Sequence, residues 1–161
     1  MRPKFANLEA WHQAEILMQP AFIRLIDNLT QRVEASSWHS SYQDVMRWDE
    51  EVCEETRGRI ALLQQELKTT TSDDRATEIQ AVLAQLPSAY PSYELCLTQG
   101  DRTASVDIWD LCYQICFRDL DNHQPVTVDR SLLDEVGQVD WIALDEKTKW
   151  VVETLFTQLD E

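Results

Sequence analysis

The chain has 161 residues and carries 14 Lys and Arg against 29 Asp and Glu, a net charge of −15 at pH 7. A body so acidic repels a phosphate backbone and anionic lipid headgroups, which argues against nucleic acid or an acidic membrane held through charge. The length suits one domain over residues 1–161, able to bury roughly 70% of its unfolded surface without staples, and the three glycines favour helices over a turn-rich barrel.

Asn7 reads as an N-cap, and Leu8, Trp11 and Met18 follow at helical spacing. Pro20 interrupts or restarts this helix, because proline is best tolerated in a first turn. Phe22, Leu25, Ile26, Leu29 and Val33 then share one face, so residues 8–34 read as a helical pair or one kinked helix. After the polar run Ser36–Ser41, interrupted by Trp38 and His39, residues 42–48 alternate as a short strand. An acidic start at Asp49 leads into a helix carrying Ile60, Leu63 and Leu67. Thr70–Asp74 breaks it, and Ile79, Val82, Leu83 and Leu86 mark its antiparallel partner.

Residues 93–98 and 103–107 read as a hairpin turned at Gln99-Gly100-Asp101-Arg102. Asp107 caps a helix over 108–118, with Ile108, Leu111, Cys112, Ile115 and Cys116 on one face; a continued strand is the rival, since these residues also suit strands. Val126–Val128 can form a short strand, and Asp134–Gly137 a turn. Asp140 caps a last helix whose buried face is expected to be Trp141, Leu144, Val151, Val152, Leu155, Phe156 and Leu159. The expected fold is α+β: five to six helices packed on a small antiparallel sheet with strands near 42–48, 93–98 and 103–107.

The charge is uneven. Residues 1–48 hold five acids and five bases, so the whole −15 lies in residues 49–161. Such a distribution suits a protein partner of basic character, met by the acidic part and steered by its field.

No catalytic motif is present: there is no His-Glu-x-x-His, no Gly-x-Ser-x-Gly and no Walker loop, and Gly58, Gly100 and Gly137 stand alone. The reading leans away from an enzyme, and no cofactor is expected. With no apolar leader over Met1–Asn7 and no run of the ~18 apolar residues a membrane span needs, a cytoplasmic chain with free thiols is expected. Cys112 and Cys116, one helical turn apart, could bind metal with Cys96 and His123. Structural zinc uses paired knuckles, however, and cysteine is commonly buried in cores. Asp119-Leu-Asp121-Asn-His123 begins like a calcium loop but has Gln124 and Arg130 where glycine and glutamate are required. Trp38, His39, Tyr42 and Trp48 gather aromatic character near an edge strand, the composition of an interface hot spot. The competing reading is a strand packing its aromatic face on the helices.

The stretches Met1-Arg-Pro-Lys-Phe-Ala-Asn-Leu-Glu-Ala-Trp11, Met18-Gln-Pro-Ala-Phe-Ile-Arg24, Tyr93-Glu-Leu-Cys-Leu97, Val139-Asp-Trp141 and Leu144-Asp-Glu-Lys-Thr-Lys149 resemble a family of small acidic proteins of cyanobacteria. The resemblance implies a cytoplasmic protein of an oxygenic phototroph, with an accessory or assembly role for a photosynthetic complex. It carries over no site residue.

Overall fold

Asn7 accepts a hydrogen bond from the backbone N–H of Ala10 at 2.8 Å and so opens the first helix, α1, Leu8–Glu34. The structure, a computed structural model, describes residues 4–49, 51–118, 120 and 125–160. These group into two compact units, Met46–Pro91 on one hand and residues 4–45 with 92–160 on the other, where the sequence reads as one domain.

In the larger unit α1 runs unbroken through Pro20, so of the two expected arrangements it is one helix and not a helical pair. Proline forfeits one N–H and crowds the preceding turn, at about 3 kcal/mol in a helix interior. The packed face passes straight through the site: Leu17, Ala21 and Leu25 are all buried. Ile16, whose carbonyl loses its donor, lies on the exposed side where water can serve. The buried stripe of the first turns is Ala10, Ala14 and Leu17, whereas Leu8 and Trp11 face outward. Alanines carry little hydropathy signal, so the large residues at 8 and 11 draw the sequence reading to the wrong side.

The sheet has the order β1–β2–β3, with β1 at His39–Arg47, β2 at Tyr90–Gln99 and β3 at Arg102–Asp107. β2 and β3 are antiparallel, in register from Glu94 opposite Asp107 to Gln99 opposite Arg102. Gly100 closes the turn with a φ of +58°, a left-handed conformation that glycine adopts without a Cβ clash. Leu95 and Leu97 point from β2 into the core.

Asp107 ends β3 and caps α4, Ile108–Cys116, accepting from the N–H groups of Trp109 (2.8 Å) and Asp110 (3.2 Å). Its other carboxylate oxygen accepts from the buried Ser92 hydroxyl at 2.6 Å. The helix therefore wins over the rival strand, and the chain becomes extended only at Phe117. Phe117–Arg118 (β4) pairs antiparallel with Thr127–Val128 (β5), the short strand read near 126–128. A 3-10 turn at Arg130–Leu132 and the Asp140 cap lead into α5, Trp141–Leu159.

The core of this unit lies where α1 meets α4 and α5, with Leu17, Leu25, Leu29, Leu95, Leu97, Ile108, Ile115, Leu144 and Phe156 sealed from solvent. Arg24 pairs with Asp145 and Arg32 with Glu153, each at 3.2 Å. Partners advance together in sequence, so α1 and α5 run side by side in the same direction.

The unit Met46–Pro91 holds α2, Glu54–Thr69, and α3, Asp73–Gln85, an antiparallel hairpin as expected. Ser72 caps α3, its hydroxyl oxygen accepting from the N–H of Arg75 at 3.3 Å. Ile60 and Ile79 are buried, while Leu62 is exposed. Arg75 forks onto both oxygens of Glu66 at 2.8 and 3.1 Å across the turn.

Candidate interaction surface

The four aromatic candidates near β1 do not form one exposed patch. Trp38 is only 4% exposed and belongs to the core, which corrects its reading as a contact residue. Its indole N–H donates to Asp160 at 3.4 Å, and the Arg102 guanidinium lies 5.2 Å from its ring centroid. A ring this large is more stable among the core side chains than in water. Tyr42 is half-buried and stacks on Tyr93, with centroids 5.3 Å apart. Burial, then Tyr93, raises the Tyr42 hydroxyl above its usual range, against a Thr30 hydrogen bond that lowers it. His39 is exposed at the start of the strand. Trp48 lies in the other unit, half-buried, with the Arg57 guanidinium 5.9 Å from its ring centroid.

Cys112 and Cys116 are fully buried in the apolar core on α4. Burial, reinforced by its neighbour Cys116 and by Asp107, pushes the Cys112 thiol far up. Burial pushes Cys116 to about 12, against the pull of Lys147. Thiols held protonated in this way are poor metal ligands, because the thiolate is the binding form. Cys96 lies on β2 with its sulfur 3.6 Å from the Glu94 carboxylate. Among the described residues no three His, Cys, Asp or Glu side chains gather as a metal site. His123, like Asp119, Asp121 and Asn122 of the calcium-like stretch, lies outside the described residues. Cys53 is the contrasting thiol: exposed at the N-cap of α2 and lowered by hydrogen bonds, first from the Thr56 hydroxyl 3.1 Å away.

Met46, Leu62, Val82 and Val136 are exposed singly elsewhere, but most of the exposed large apolar side chains among the described residues lie on α1 and α5. On α5, Ile142 is 74% exposed, Trp150 66% and Trp141 48%. On α1, Leu8, Ile16 and Ile23 face outward, opposite the buried Leu17–Ala21–Leu25 stripe. Trp141 corrects the sequence reading, which placed it on the buried face of the last helix. It packs against Arg24, whose guanidinium sits 5.0 Å from the ring centroid while pairing with Asp145. Between the two helices runs a shallow groove of about 290 Å³, lined by Arg24, Asp27, Asn28 and Gln31 of α1 and by Asp145, Glu146 and Lys149 of α5.

A signal for this face was present in the sequence. Ile142, Glu146 and Trp150 stand four apart, so they form one row on the helix. That row lies off the Leu144–Val151–Leu155 stripe. Two large apolar residues on the polar side of an amphipathic helix have no structural reason within the helix itself. No helix among the described residues is long and apolar enough to cross a membrane. No protein-family model, curated protein or solved structure matches the chain.

Proposed function

We propose that this protein is a non-enzymatic interaction protein, an accessory or assembly factor that meets its partner through the outer face of α1 and α5. The observation that carries the reading is the row Ile142–Trp150 standing in solvent on a helix whose opposite side is sealed in the core. Scattered single apolar residues are ordinary on a protein surface, but Ile142, Trp141 and Trp150 are all exposed on this one helix, and tryptophan is enriched at interface hot spots. The neighbouring groove is rimmed by polar and charged groups, as the edge of a contact surface is. The net charge of −15 favours a basic partner and disfavours a phosphate backbone. The cyanobacterial resemblance directs the role to the assembly or upkeep of a photosynthetic complex in the cytoplasm.

The test is affinity capture from a lysate of the source cells at low and high salt, with the wild type and the double variant Ile142→Ala/Trp150→Ala as baits. The expected result is a specific partner recovered by the wild type and lost by the variant, with the melting temperature unchanged. Equal recovery by both baits would remove this face from the function.

A further inference from the structure

We infer that the α1–α5 face takes an amphipathic helix of a partner protein, apolar on one side, that sets a Lys or Arg between Asp27 and Glu146. This rests on the interaction reading above and adds the chemistry of the partner.

The row Ile142–Glu146–Trp150 rises about 12 Å along α5, or slightly more than two turns. It places one carboxylate midway between two large apolar side chains. On α1, Ile23 and Asp27 repeat the pattern one turn apart: an exposed apolar side chain followed by a carboxylate. Asp27 and Glu146 both line the groove. The other charges there divide into held and open ones. Arg24 is held by Asp145 at 3.2 Å and by the face of Trp141. Asp27, Glu146 and Lys149 have no ion-pair partner among the described residues. The open set is therefore two carboxylates and one ammonium, a net negative site flanked by Ile23, Ile142 and Trp150.

An extended strand would match this surface poorly, since no unpaired strand edge lines the groove. A helix laid along it can set apolar anchors two turns apart, at i and i+7 or i+8, which spans the about 12 Å between Ile142 and Trp150. A basic side chain next to those anchors can reach both open carboxylates, while the charge of the whole chain steers its approach.

The probes are two tryptophan-free 20-residue amphipathic peptides with the same leucine stripe, one flanked by lysines and the other by glutamates. Binding to the full chain is followed by tryptophan fluorescence and calorimetry. The lysine peptide is expected to bind at least tenfold more tightly than the glutamate peptide at low salt. Ile142→Ala/Trp150→Ala should lose about tenfold or more of that affinity, as hot-spot truncation does. Asp27→Asn/Glu146→Gln should lose about threefold and flatten the salt dependence. Equal binding of the lysine peptide to the wild type and the apolar double variant overturns the inference, because general charge attraction then explains it. Equal affinity for the two peptides, or binding of neither, also overturns it; either result leaves the capture experiment above free to succeed. A dimer in sedimentation that Trp150→Ala dissociates assigns the face to a second copy of this chain, and binding of phosphatidylglycerol vesicles through Trp150 assigns it to lipid. Both contradict the inference.

Discussion

Replacing Asp129 by asparagine should destabilise the protein by about 2 kcal/mol at neutral pH and by almost nothing near pH 2. The carboxylate accepts from the Lys147 ammonium at 2.6 Å, the Ser131 hydroxyl at 2.7 Å, the Ser131 N–H at 3.1 Å and Arg118 at 3.3 Å. Its side chain is only 13% exposed. Burial alone pushes the acid upward, but the Lys147 and Ser131 donors outweigh it and hold the carboxyl at about 2, against an ordinary value of 3.8. That drop corresponds to about 2 kcal/mol favouring the folded state when the group is charged. A carboxyl depressed by folding contributes its full stabilisation above its unfolded value and loses it as the pH falls towards its folded value. The contribution should thus be intact above about pH 5 and fade between about pH 4 and pH 2. Urea unfolding of the wild type and Asp129→Asn at a series of pH values isolates it, since other carboxylates cancel in the difference. Lys147→Met should reproduce most of the effect, and the double variant should cost less than the two single variants summed. A wild-type-minus-variant difference that stays constant from pH 6 to pH 2 would refute this account of Asp129.

Thiol labelling of the native protein should modify Cys53 first, and Cys112 and Cys116 only when the chain unfolds, in keeping with their exposure and the directions of their shifts; fast native labelling of Cys112 would contradict the core. Trp38→Ala should lower stability by about 3–5 kcal/mol in chemical denaturation, as loss of a buried aromatic does, whereas Trp11→Ala and Trp150→Ala should change it by about 0.5 kcal/mol or less. Amide exchange should be slowest in α1 and α5 and clearly faster in α2 and α3, whose buried side chains are few; equal protection throughout would show the hairpin to be as cooperative as the core.

The elements were readable in the sequence wherever a local rule governed them. Asn7, Asp107 and Asp140 each cap the helix they were expected to cap, and Gly100 turns the expected hairpin. The α+β class follows from those signals. What stayed illegible depended on tertiary packing. Pro20 obeys no local rule because the packed stripe beneath it outweighs the loss of one hydrogen bond. Alanines at 10, 14 and 21 gave no hydropathy signal, although their small size lets neighbouring helices pack on that side. Trp38 and Trp141 carry the same side chain, yet one is sealed and the other half in water. Composition cannot separate them, because the distinction lies in which neighbour each ring meets. For the α5 face, periodicity did hold the information: Trp150 falls off the apolar stripe, and only the strength of that stripe draws attention away from it.

The central claim is that the outer face of α1 and α5 is covered by a partner in the cell. Hydroxyl-radical footprinting compares side-chain oxidation in the purified protein with that in a freshly made lysate. Leu62, exposed on α2, serves as the internal reference. The account predicts that Ile142 and Trp150 are oxidised readily when purified and protected several-fold in the lysate, with Leu62 unchanged. Oxidation of Trp150 at the same rate in both would contradict it.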